Sequence, residues 1–234
     1  MRVNRILAIA LFLFLSTVFG CTKKEADPTN AKQDSEKPAE SRIEIPDELM
    51  TPALRAIGAP FDKPLKMRFS GFAAGITEST RIAKVTAIED GKVHFTFTWS
   101  NGLGDDKYVS GPDGIFVSRQ FGRDFDPPVM YAPVNFAIGD EWEQSYTIQV
   151  QDNTVEVKSK TKIVGQEKVT LPMGEFDAKV IEETGTLKSP TMDVTMTGKS
   201  WLVDGMGIVK MQGTQKGKVN GTEVSQDLSI EIVG

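Results

Sequence analysis

One cysteine and one histidine occur in 234 residues, and that scarcity removes several kinds of chemistry at once. Intrachain disulfides, paired-cysteine metal sites and catalysis that pairs a histidine with an internal cysteine are all excluded. Long apolar runs are missing too: the longest, Ile6 to Phe19, holds fourteen uncharged residues. That is short of the roughly 18 needed for a helix to cross a membrane. Lysine and arginine form no cluster large enough for a nucleic-acid footprint, and the formal net charge is −5, so no nucleic-acid partner is expected. Neither a GxSxG nucleophile elbow nor a phosphate-cradling GK[ST] loop is present.

What the N-terminus does contain is ordered like an export signal. Arg2 and Arg5 give a positive start, the apolar run follows, and Gly20 and Cys21 come directly after it. Val18-Phe19-Gly20-Cys21 resembles the lipobox of bacterial lipoproteins, in which a small residue precedes an invariant cysteine. The resemblance implies cleavage between Gly20 and Cys21 and lipidation of Cys21, and so a membrane partner through a lipid anchor. One acyl chain binds a bilayer only marginally, whereas the several chains of a lipoprotein anchor stably. Thr22 stands where an Asp would signal inner-membrane retention, so the family rule points to the periplasmic face of the outer membrane.

Composition then divides the chain into a signal at 1–20, a lipidated tether at 21–45 and one domain at 46–234. From Thr22 to Arg42 there is no Leu, Val, Ile, Met or aromatic residue, so no core can form. Mixed charges with Pro28 and Pro38 describe a solvated, extended tether. The 189 residues that follow carry a balance of −6 and suffice for a single domain.

Within that domain apolar and polar residues alternate repeatedly. Val93, Phe95, Phe97 and Trp99 alternate with His94, Thr96 and Thr98; Tyr146, Ile148 and Val150 alternate with polar neighbours, as do Met192, Val194 and Met196. Each run predicts a half-buried strand. Asp90-Gly91 and Asn220-Gly221 tolerate the positive φ of tight hairpins, and Pro172-Met173-Gly174 and Asp204-Gly205 add two more turns. Lys158, Lys160 and Lys162 share one strand face, read as a solvated outer face that also discourages edge pairing. The expected fold is all-β and mainly antiparallel: a curved sheet, half-barrel or barrel-like meander of ten to twelve strands. One short helix, from Pro46 to Gly58, is expected to be interrupted or kinked at Pro52 and either plugs an open end or leads into the first strand.

Gly139-Asp140-Glu141-Trp142, then Val169 through Ala178, then Trp201 through Lys210 are similar to a pattern in uncharacterised exported bacterial β-proteins. The resemblance covers roughly residues 133 to 211 and brings no catalytic residue. It implies a fold that looks distantly like the half-barrel of the LolA, LolB and LppX carriers. Physically the motifs read as turns, with Phe176, Ala178 and Val180 returning to the interior and Trp142 and Trp201 as large inward anchors.

A catalytic reading finds no nucleophile with a base. His94 lies on the strand face opposite Phe95 and Phe97 and reads as a surface residue. Asp105-Asp106, in a loop from Gly102 to Gly114, and Asp124 with Asp126 lack the spacing of a calcium loop. No enzyme activity, metal or cofactor is therefore expected. Two binding roles are open. One is a carrier whose curved sheet takes a lipid or other hydrophobic ligand, with Phe95, Phe97, Met192 and Met196 as lining residues. The other is an interaction lipoprotein with a filled core that holds an envelope protein partner.

Overall fold

The computed structural model describes residues 42–58, 61–71, 78–100, 104–120, 122–150 and 153–234, together with the backbone at Leu11–Phe12 and Phe14–Leu15, which form a two-residue antiparallel ladder. Gly20, Cys21 and the tether from 22 to 41 lie outside the described residues.

Twelve strands follow the expected hairpins. They are β1 (Pro64–Ser70), β2 (Glu78–Glu89), β3 (Lys92–Trp99), β4 (Asp105–Gly111), β5 (Gly114–Gln120), β6 (Arg123–Ala132), β7 (Glu141–Val150), β8 (Asn153–Leu171), β9 (Gly174–Ser189), β10 (Met192–Val203), β11 (Gly207–Val219) and β12 (Thr222–Ile232). All pair antiparallel in one sheet of order β6-β5-β4-β3-β2-β1-β12-β11-β10-β9-β8-β7. Two six-stranded meanders are thus joined where β1 meets β12, through the register pairs from Met67↔Ile232 to Ser70↔Ser229.

The free edges, β6 and β7, are consecutive in sequence and curl toward each other without forming a ladder. Phe125 of β6 meets Tyr146 of β7 edge-on at 5.6 Å, so side chains close what backbone hydrogen bonds leave open. Pro127 and Pro128 remove two N–H donors from the β6 edge, as suits a strand that must not recruit another. The result is an almost closed, barrel-like sheet.

Three sequence expectations need correction here. Pro52 does not kink a longer helix. A 3₁₀ turn at Asp47–Leu49 ends first, and α1 (Pro52–Ile57) then starts at the proline, whose missing N–H costs nothing at that position. Thr51 caps it, its Oγ1 accepting from Leu54 N at 3.1 Å. Asp105 and Asp106 lie not in a loop but at the start of β4, because the reversals fall at Gly104 and before Gly114 instead. Lys158, Lys160 and Lys162 do lie on a solvated face, Lys158 pairing with Glu156, Lys160 with Glu141 and Glu143, and Lys162 with Glu141, but β8 is an interior strand and guards no edge.

α1 closes one end of the sheet. Ala53, Leu54, Ala56 and Ile57 are buried, and the helix packs against β5, β10 and β11, which belong to both halves. Ala53 N donates to Val134 O, and Gly205 N donates to Arg55 O, stitching the helix to two turns at that end. The plug therefore prevails over the simple lead-in.

Candidate functional site

The inner face of the sheet is apolar over most of its area. Phe95 and Phe97 on β3 are buried, with ring centroids 5.7 Å apart, and Tyr108 of β4 stacks on Phe95 at 5.2 Å. Met192 and Met196 on β10 are buried as well, Met196 opposite Gly185 and Gln215. The structure therefore pairs the four expected lining residues two by two. Four strands (β2, β1, β12 and β11) stand between the two pairs.

Polar side chains interrupt this surface, and sequence reasoning passed over them. Arg81 of β2 is only 7% exposed. Its guanidinium lies over the Phe97 ring at 4.6 Å, and Nη2 donates to Met206 O at 3.0 Å. Burial lowers its pKa from the usual arginine range, offset by the neighbouring Tyr131, Tyr108 and Asp106. Asp106 is buried and accepts from Trp99 Nε1 at 2.9 Å. Tyr108 accepts a hydrogen bond from Gln120 Nε2 at 3.1 Å, and its ring meets Tyr131 edge-on at 5.2 Å. Desolvation raises both phenols above their ordinary range, as it does Tyr146. Tyr108 and Tyr131 are thus buried side by side, and the half-buried Tyr146 stands at the β6–β7 seam against Phe125.

Glu183 of β9 stands two strands in from the β7 edge. It shares a strand face with buried Leu187 and stands opposite buried Thr161 on β8. Burial pushes its carboxyl up to about 8, only partly offset by a hydrogen bond from Ser159. Its charge raises the pKa of Tyr131 and Tyr146 in turn. Even so, Glu183 is half-buried rather than buried, so part of its surface opens onto space. Next to it in the same cross-strand row are Gly198 and Gly213, which present no side chain. One step along, Gln215 is 4% exposed and its Nε2 has no hydrogen-bond partner.

A signal for these residues existed in the alternation. Arg81 has the same parity as Ala83, and Gln215 the same as Met211, so each falls on an inward position despite its polarity. Other expectations resolve differently. Trp142 and Trp201 are half-buried, not deep anchors. Trp201 Nε1 donates to Glu167 Oε2 at 3.1 Å while Lys199 and Lys210 lie over its ring, because that end of β10 faces solvent-borne charges. His94 is half-buried on the face away from Phe95. Asp124 pairs with Arg119, and among the described residues no three His, Cys, Asp or Glu side chains converge on a metal-sized point.

No curated protein matches the sequence. Among solved structures the chain is similar to a candidate lipoprotein of Parabacteroides distasonis, with 16% identity over 75% of this chain and 99% of that one, at a TM-score of 0.43. It is also similar to a candidate exported protein with a YmcC-like fold from Bacteroides fragilis, with 17% identity over 76% and 100% of the chains and a TM-score of 0.45. The hypothetical lipoprotein YmcC of Escherichia coli gives 10% identity over 80% and 90%, at 0.38. Residues 133–224, from the loop before β7 to the start of β12, match the family model described as DUF3108-like.

Proposed function

We propose that this chain is an exported lipoprotein, held at the cell envelope through Cys21, whose β domain binds a lipid or other hydrophobic ligand inside its curved sheet and performs no catalysis. The observation that carries the reading is the strand number. Eight strands close around an interior that side chains fill, whereas wider barrels enclose space. Twelve strands in one almost closed sheet therefore favour a cavity over a solid core. The half-buried Glu183 on an inward position fits the same picture.

The anchor rests on Arg2, Arg5, the apolar run and the Gly20-Cys21 pair, and the outer membrane on Thr22. Native mass spectrometry of the full-length product, purified from a bacterial envelope, tests both parts. The expected result is an N-terminal Cys21 carrying acyl mass, and a second, dissociable lipid in about one-to-one ratio. An acylated protein with no dissociable lipid would instead support the filled-core lipoprotein that holds a protein partner. An unprocessed N-terminus would overturn the anchor.

A further inference from the structure

The two free edges of the sheet are built differently. On β6, the register pairs to either side of Ser118 are Arg119↔Asp124 and Val117↔Val129, so Phe125, Asp126, Pro127 and Pro128 swing out opposite that one residue. Such an excursion, with two residues that have no N–H, blunts an edge. β7 carries none of these devices. It runs in ten unbroken register pairs along β8, from Glu141↔Lys162 to Val150↔Asn153, and holds no proline, lysine or arginine. Every second residue of β7 turns its N–H and C=O away from β8 toward the seam, where no strand meets them.

Between the two edges lies a cleft of about 550 Å³. Asp126, Pro127 and Pro128 line one side of it and Glu143, Ser145 and Thr147 the other, while Phe125 and Tyr146, in ring contact across the seam, back it from the interior. Three carboxylates, those of Asp126, Glu143 and Glu156, face this cleft, and among the described residues no lysine or arginine lines it. Lys158 and Lys160 reach Glu156 and Glu143 from β8, but those pairs are exposed and weak, and Asp126 has no ion-pair partner among the described residues.

Geometry selects what can fill the cleft. A second copy of this chain would bring a whole sheet behind its own edge strand, and that sheet would have to stand where β6 is. A lone extended segment brings no such sheet. We propose that the seam is a docking site for a basic, extended segment of a partner protein, which adds as a strand to the free edge of β7 alongside residues 143–147. Its lysines or arginines stand outward, toward Asp126, Glu143 and Glu156, and the residues between them turn inward over Tyr146. Main-chain hydrogen bonds supply the affinity and the charges supply the selection. The site lies outside the interior and does not depend on a hydrophobic ligand there.

The probe is the peptide acetyl-Lys-Val-Lys-Val-Lys-Val-Lys-amide. It is compared with a counterpart that has glutamate for each lysine, and with the lysine peptide methylated at its backbone nitrogens. Binding to the full exported protein is read by fluorescence anisotropy, and its place by hydrogen exchange. The lysine peptide is expected to bind about tenfold more tightly than the glutamate peptide. The methylated peptide should not bind, and amides within 143–147 should gain protection while those of β1 and β12 stay unchanged. Asp126→Lys and, separately, Glu143→Lys should each weaken the lysine peptide severalfold. Both side chains are exposed, so the thermal midpoint should not move.

Equal binding of the lysine and glutamate peptides, binding of the methylated peptide, or protection that avoids β7 would overturn the site. So would protection of residues 143–147 in the free protein that disappears when residues 22–41 are deleted, because the chain's own tether would then be the added strand. Protection that rises with protein concentration alone would overturn it in favour of a second copy. None of these outcomes bears on a lipid held in the interior, so the two readings stand or fall separately.

Discussion

Glu183 is the residue whose environment has the clearest consequence. Its carboxyl titrates near 8 in the folded protein and near 4.5 when exposed, so between those values the native state holds a proton that the unfolded chain has lost. Stability therefore falls as pH rises from about 4.5 to 8 and levels off above it. Glu183→Gln should melt with the parent at pH 4 and a few degrees higher at pH 9, measured by circular dichroism. Identical pH profiles for parent and variant would show that the carboxyl is solvated after all. The alternation of Phe176, Ala178 and Val180 put even-numbered positions of β9 inward, which would turn Glu183 to solvent. In the structure the inward phase passes to the odd positions that lead to buried Leu187, next to the register shift between Ile163 and Gly165 on β8. A bulge on a neighbouring strand leaves no mark in the residues of β9 itself, so this inward carboxyl was not legible.

At the scale of the element, hairpins were the readable part. Asp90-Gly91, Asn220-Gly221 and the Asp204-Gly205 turn all reverse the chain where the sequence implies, with Gly91, Gly205 and Gly221 at positive φ. Glycine within a strand is a different matter. Gly217 in β11 has φ +153, and a Cβ there would lie 2.0 Å from Asp193 O, whereas a Cβ at Gly221 would meet nothing within 4 Å. Gly217→Ala should cost several kcal/mol, since backbone must move, and Gly221→Ala about 1 kcal/mol for its left-handed turn. Urea titration of the two variants gives the comparison, and equal midpoints would refute it. No propensity rule separates the two glycines, because the contact at Gly217 is made by the facing strand and not by its own neighbours.

The whole molecule depends on one joint that the sequence did not announce. Local alternation predicts each strand and its hairpin partner, but β1 and β12 lie some 160 residues apart and meet only when both meanders are formed. Lys66 continues that joint, its N donating to Gly234 O and its carbonyl accepting from Val233 N. A chain ending at Asp227 would lose every register pair between β12 and β1. It should unfold with a broadened transition, or as two separate ones, where the parent unfolds in one, and calorimetry decides. A single sharp transition in the shortened chain would mean that α1, which touches both halves, holds them together without the ladder. The interior was only partly legible for the same reason: Phe95, Phe97 and the methionines announced an apolar lining, while the inward polar residues Arg81, Glu183 and Gln215 stand on strands that only closure brings into one sheet.

Closure through β1 also decides how the domain bears load. The described chain enters at Arg42, which makes an exposed ion pair with Asp62, runs through α1 and joins the sheet at Pro64. Tension applied from that side first breaks the ion pair, a weak link in water, and then draws on the buried plug. Only afterwards does it reach β1, which is bonded to a strand on each side. Pulled along its length, β1 loads both rows of hydrogen bonds at once, in shear, instead of one after another as a peeled hairpin would. A domain hung from this end resists detachment of its first strand, while its seam, on the far side of both meanders, stays out of the line of force.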